Sequence, residues 1–157
     1  MADIYLDTAV DRLVEMYKLV LATMTPTVHQ VVKYIDPGLT PPLLWLYPGP
    51  VSNTDINMQR QQQLYAINAR LVLGTVTDGY DGVLASKLWT LIPTTLNYFM
   101  KRRNLVYQAG QTAPLFLEPS KTTIALAQPF GTFNASNQVG VEFQHTLLFL
   151  MTNDQSP

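Results

Sequence analysis

The sequence lacks most of the side chains on which chemistry depends. It has no cysteine, which excludes a disulfide scaffold, a thiolate metal site and a cysteine nucleophile. It has two histidines, His29 and His145, and no nucleophile elbow, glycine-rich phosphate loop or zinc motif. Because His145 falls on the apolar face of a predicted strand, we expect a hydrogen-bonded core histidine there. We therefore predict no catalytic residue, no metal and no cofactor, and we expect that the protein is not an enzyme.

Charge is also scarce. Charged residues make up 13% of the chain, against roughly 25% in typical soluble domains. Thr, Gln and Asn take their place, and a neutral polar surface is cheaper to desolvate than a charged one. Interface cores are depleted in Lys, Glu and Asp, whereas the net charge of −1 argues against a nucleic-acid-binding domain. The composition favours binding to other copies or to a partner over a low-charge monomer.

Long hydrophobic runs are missing as well. No apolar run approaches the ~18 residues that a membrane-spanning helix needs. Three aspartates precede the first basic residue, Arg12, which is the reverse of a secretory signal. We expect a soluble protein made inside the cell. The 157 residues fit one domain, 1–157, with a frayed tail from about residue 153.

What is present is a periodicity typical of the α+β class. Apolar residues recur at spacings of three and four in two segments and alternate in others, which predicts the order α-β-β-α-β-β. The prolines at 48 and 50 are expected to end the first strand, leaving 52–59 as a loop, and Pro93 to kink or break the second helix. Residues 104–120 are expected to form a long loop, with a possible short strand at 115–117. The predicted helices are 4–24 and 83–103, and the predicted strands are 43–47, 60–76, 121–133 and 138–151.

Two charged features are candidate interaction sites. Acidic residues recur every fourth position from Asp3 along the first helix, and three basic residues end the second helix. Each has an ordinary interpretation, as a solvated face or as cations that complement a helix dipole. The functional interpretation is that the basic end of one copy pairs with the acidic stripe of the next copy in a ring. The candidate subunit-interface residues are Asp7, Asp11, Glu15, Lys101, Arg102 and Arg103.

The chain resembles the tail terminator (tail completion) proteins of long-tailed, siphovirus-type bacteriophages. The resemblance covers residues 6–151, and it lies in the amphipathic first helix, the proline-flanked strand 43–48, the long strand 63–73, the helix 83–103 and the closing strand 139–151. It implies a two-layer sandwich, with an antiparallel sheet and helices packed on one face.

The same resemblance implies a virion protein at the head-proximal end of the tail, assembled in the host cytoplasm. It would form a homo-hexameric ring that caps the tail tube, ends tube polymerisation and docks the head-completion or neck protein. Double-stranded DNA would pass through the channel without sequence recognition, and no membrane would be involved. Segments 51–59 and 107–120 are candidates for contacting the tube or the neck.

Two alternatives stay open. A head–tail connector or stopper protein of the neck would share the size and the lack of chemistry, but would bind the portal side of the head. A small ligand-binding or enzymatic α+β domain would have a partly polar cavity between helices and sheet. In that case substitution of His145 or Asp81 would abolish an activity without changing assembly.

Overall fold

A computed structural model describes residues 2–24, 27–28, 30–34, 38–57, 60–75, 82–113, 119–128, 132–133 and 136–152. The α+β class is confirmed, although two short strands, β1 and β5, add to the predicted element order. The elements are α1 (Ala2–Leu21), β1 (Gln30–Val32), β2 (Leu43–Asn57), β3 (Arg60–Thr75), α2 (Gly82–Met100), β4 (Lys121–Gln128), β5 (Thr132–Phe133) and β6 (Ser136–Thr152).

The sheet is built around three long strands. Its order is β1-β2-β3-β6-β4, and β5 pairs separately with the start of β6. The pairs β2–β3, β3–β6 and β6–β4 are antiparallel, whereas β1 runs parallel to β2. β2, β3 and β6 have 15, 16 and 17 residues, against about 5–6 in a typical strand. Their outer end, 51–56 of β2 with 60–64 of β3, is exposed or half-buried.

The core lies between the helices and one face of this sheet. Odd-numbered residues of β6 from Val139 to Phe149 are all buried, as alternation along a strand requires. Tyr17 of α1 and Phe99 of α2 both lie against the His145 ring, with ring centroids 5.4 and 4.7 Å away. Both helices therefore contact the same face of β6.

β2 corrects the expectation that the prolines end the first strand and that a loop follows. It continues through Pro48, Gly49 and Pro50 to Asn57. Among the described residues, β1 pairs only with Leu43–Trp45, so from Leu46 onwards β2 is an edge strand, where a missing N–H is tolerated. A register shift between Pro48 and Val51 accommodates the irregular backbone.

The helix boundaries also differ from those predicted. α1 ends at Leu21 instead of residue 24, and α2 ends at Met100 instead of residue 103. α2 passes through Pro93 as one uninterrupted helix, so of the predicted kink or break the break is wrong, and the kink stays a prediction. Pro93 lies on the exposed side, where water can satisfy the carbonyl that loses its partner. No helix within the described ranges is long and apolar enough to span a membrane.

The remaining predictions concern three strands and the loop 104–120. β3 matches the predicted strand 60–76 to within one residue, and β6 matches 138–151 to within two, whereas the predicted strand 121–133 is divided between β4 and β5. Part of the predicted loop 104–120 is anchored, because Leu105 is fully buried and Arg12 donates hydrogen bonds to the carbonyls of Leu105 and Thr112. His29, Asp81, the segment 115–117 and the tail from 153 lie outside the described residues.

Candidate functional site

The outer face of α2 is exposed and carries no charge. Its residues follow the three- and four-residue spacing of one helical face, which we call the α2 face. Trp89 is 84% exposed and Met100 is 66% exposed. Lys87, the only charged residue in the α2 sequence, is half-buried beside this face. The exposed residues of the α2 face are Ser86, Trp89, Thr90, Pro93, Thr94, Asn97 and Met100.

The α2 face shares two features with interface cores, an exposed tryptophan and methionine and the lack of charge. Tryptophan and methionine are enriched at such cores and charged residues are depleted. Tryptophan is also among the residues that contribute most to binding energy. Sequence reasoning missed this face, although its signal was present in the uncharged positions of the predicted second helix.

The predicted acidic stripe on α1 is exposed but partly neutralised within the chain. The Lys33 ammonium is ion-paired with Asp11 and lies 3.6 Å from Asp7. Its hydrogen bond to Asp11 raises the pKa of Lys33. Glu15 is paired with Lys18 at 3.1 Å. Three carboxylates thus face two ammonium groups, and the side chains of Asp7 and Asp11 stay 74% and 57% exposed.

The basic end of α2 has both exposed and structural members. Lys101 is exposed. The Arg102 guanidinium lies 4.1 Å above the Tyr98 ring, which is a cation–π geometry. Arg103 Nε donates to the Ser120 carbonyl at 2.9 Å, and Ser120 Oγ donates back to the Arg103 carbonyl at 2.7 Å. Within the described part of the chain, no ion pair joins this basic end to the acidic stripe.

An apolar pocket opens between the start of α1 and the outer part of β2 and β3. Its volume is about 290 Å³. Asp7, Lys33 and the 84% exposed Tyr34 stand at its rim. Sequence reasoning did not find this pocket, since its walls come from segments that only the fold brings together. The apolar lining side chains include Leu6, Val10, Leu46, Pro48, Val51 and Tyr65.

The opposite face of the sheet carries a polar network. Arg70 on β3 donates to Glu142 on β6 at 2.7 Å, and the Tyr47 hydroxyl donates to the same carboxylate at 2.5 Å. The Arg70 guanidinium also lies 5.2 Å from the Trp45 ring centroid. Burial, and then the hydrogen bond to Glu142, raises the pKa of Tyr47. These bonds join three adjacent strands, so the network fixes their register.

His145 is the hydrogen-bonded core histidine that the sequence predicts. It is fully buried, with Nε2 2.5 Å from the Tyr17 hydroxyl and Nδ1 2.9 Å from Thr122 Oγ1. One ring nitrogen donates and the other accepts when the imidazole is neutral. Burial lowers the pKa of His145 to about 3 and raises the pKa of Tyr17 well above its ordinary value. His145 is therefore neutral at physiological pH and acts as a structural group in the core.

The described residues contain no group of three or more His, Asp or Glu placed to hold a metal ion. The features that stand out are instead two surfaces, the α2 face and the apolar pocket beside the acidic stripe. In comparisons with known proteins, no protein-family model and no curated protein matches the sequence.

Proposed function

We propose that this protein is a structural subunit that assembles with copies of itself into a closed ring. The observation that carries the proposal is the α2 face, a solvent-exposed helix surface without charge and with an 84% exposed tryptophan. An exposed tryptophan on a surface without charge supports a binding role, because tryptophan is among the residues that contribute most to binding energy. The net charge of −1 over 157 residues leaves little repulsion between copies.

We propose further that the ring is a tail terminator of a long-tailed bacteriophage. The fold supports this role through its mixed α+β architecture and through helices that both contact one face of β6. These contacts suit the two-layer sandwich that the resemblance implies. The ring would be a homo-hexamer in the virion, at the head-proximal end of the tail, with double-stranded DNA passing through its channel.

The outer end of the long strands is the proposed contact with the tail tube or with the head-completion protein. Residues 52–56 of β2 are exposed and mostly neutral, and they extend the β2–β3 pair. The described part of the segment 107–120 is the second proposed contact. These roles need no reacting group, so the protein would not be an enzyme and would require no cofactor.

The proposal is tested by the effect of the protein on growing tail tubes of the same virus. Wild-type protein added to polymerising tube protein should stop growth and cap tube ends, as seen by electron microscopy. Trp89→Ser should fail, because it removes the largest exposed apolar group from the α2 face. Ile124→Ser, at an exposed isoleucine on β4, is the matched control and should cap normally. Tubes that grow equally long with and without wild-type protein would contradict the terminator role.

The alternatives make different predictions in the same experiment. A connector or stopper of the neck would assemble but would bind the head portal and leave tube length unchanged. A small ligand-binding or enzymatic domain is favoured by one observation, the apolar pocket of about 290 Å³, which is close to the lower limit of ligand pockets. It would bind a small apolar molecule as a monomer, and Trp89→Ser would leave that binding unchanged.

A further inference from the structure

We infer that Trp89 of one copy occupies the apolar pocket of the next copy, so that the ring contact is head-to-tail. This inference rests on the proposed self-assembly and names the contact that produces it. It joins two features of the described surface, an exposed tryptophan on α2 and an apolar pocket beside α1.

The two surfaces fit each other in size and in chemistry. A tryptophan side chain presents a large apolar area with one polar N–H at its edge. The pocket of about 290 Å³ offers the matching features, since its walls are apolar and the Asp7 carboxylate at its rim can accept a hydrogen bond. Tyr34 and Tyr65 supply aromatic rings at the rim and wall, and aromatic pairs add to the energy of burial.

Charge selects this pairing over a symmetric contact between two α2 faces. α2 contains no acidic residue, and its charges are Lys87 within the helix and the basic residues 101–103 directly after it. An antiparallel pair of α2 helices would therefore place Lys87 of one copy towards Lys101 of the other, with no carboxylate from either helix to pair with them. The pocket side instead presents the exposed carboxylates of Asp7 and Asp11.

The lengths of the two surfaces are compatible with simultaneous contact. Lys101 lies twelve positions after Trp89, directly past the end of α2, which is roughly 18 Å along the helix axis. Nine residues separate Leu6, in the pocket wall, from Glu15 at the end of the acidic stripe, or roughly 14 Å. With Trp89 in the pocket, Lys101 can lie near the end of the acidic stripe. A contact between two different patches generates a ring if the rotation closes and a filament if it does not.

Site-specific cross-linking tests this arrangement directly, because the natural chain has no cysteine. Ser86→Cys places a thiol one turn from Trp89, and Val51→Cys places one on the exposed lip of the pocket. With a short bismaleimide, a mixture of the two single variants should give a covalent dimer. Each variant alone should stay uncross-linked, and the double variant should give a ladder of products that ends at the closed ring.

Two results would overturn the inference and leave self-assembly intact. One is efficient cross-linking of Ser86→Cys to itself, which indicates a symmetric contact between α2 faces. The other is the absence of a mixed product when light scattering shows that both variants assemble. If the wild type stays monomeric at every concentration and no mixed product forms, the inference and the proposed self-assembly both fail.

Complementation supplies a second, independent readout. Trp89→Ala lacks the inserted side chain but keeps the pocket, and Val51→Arg obstructs the pocket but keeps Trp89. Each alone should be monomeric, and an equimolar mixture should give a 1:1 dimer that cannot extend, since one contact of each pair is intact. Ile124→Ala, at an exposed position on β4 outside both surfaces, should assemble like the wild type. A mixture that stays monomeric, or a Val51→Arg protein that assembles normally, would contradict the inference.

Discussion

The buried histidine makes acid stability the most quantitative property that the structure predicts. His145 is fully buried between Tyr17 and Thr122, and its pKa is lowered from 6.5 to about 3 by burial. In the unfolded chain the imidazole regains its ordinary pKa of about 6.5. Between pH 6.5 and 3 the unfolded state therefore binds one more proton than the folded state. Stability is complete above pH 6.5 and falls as the pH is lowered towards 3.

The magnitude follows from the distance below the ordinary pKa. pH 5 lies about 1.5 units below the ordinary pKa of the imidazole. At ~1.4 kcal/mol per unit, protonation then stabilises the unfolded state by about 2 kcal/mol relative to the folded state. For a domain of this size that loss lowers Tm by roughly 4–8 °C. The assay is thermal or urea unfolding at pH 8, 6 and 5, followed by circular dichroism.

A variant separates the histidine from the carboxylates that also titrate in acid. His145→Gln keeps a polar side chain but cannot be protonated. It should be less stable than the wild type at pH 8, by about 1–3 kcal/mol, because the paired hydroxyls lose a well-placed partner. The difference between the two proteins should shrink by about 2 kcal/mol between pH 8 and pH 5. A difference that stays constant over this range would refute the assignment of a buried neutral imidazole.

Three further predictions concern folding. Glu142→Gln should lower the free energy of unfolding by about 2–4 kcal/mol, since it leaves the mostly buried Arg70 guanidinium without its carboxylate. The double variant Arg70→Met with Glu142→Leu should recover much of the loss. Equal stability of the single and double variants would contradict this. Gly140→Ala should lower the free energy of unfolding, measured in urea, by about 3 kcal/mol or more, because a Cβ there would lie 2.0 Å from the Leu71 carbonyl oxygen. Gly110→Ala, at φ +82° with open space around it, should lower it by only about 1 kcal/mol. Arg12→Met should speed hydrogen exchange and proteolysis of the segment 104–113, which the guanidinium anchors through two carbonyls, and unchanged protection would count against that role.

The parts of the fold that follow from local pattern are those that the sequence predicted well. In β3 and the closing strand β6, apolar residues at alternate positions form one face over most of the strand, and the bounds of both strands were predicted to within two residues. Pro48, Gly49 and Pro50 predicted the end of a strand, but β2 continues through them. Their tolerance depends on β2 being an edge strand beyond Trp45, which is a property of the sheet and not of the local sequence.

Some features of the candidate site were visible in the local sequence, and others depend on the fold. The basic residues after α2 were visible as a motif, and the contact of Arg102 with Tyr98, four positions earlier, is local. The contact of Arg103 with Ser120 depends on how the chain folds back. The α2 face could have been read from the uncharged spacing of Trp89, Pro93 and Met100. The pocket could not, because its wall and rim come from α1, β2, β3 and the two residues after β1, Lys33 and Tyr34.

Self-assembly is the central claim, and the mass of the purified protein in solution tests it most directly. Size exclusion with light scattering should be run at low and moderate salt, for the wild type and for Trp89→Ser. If the chain forms the proposed hexameric ring, the wild type should show six chain masses, or a concentration-dependent mixture of one and six, and the variant should show a single chain mass. A wild type with one chain mass at every salt and concentration, or a Trp89→Ser variant that assembles equally well, would contradict it.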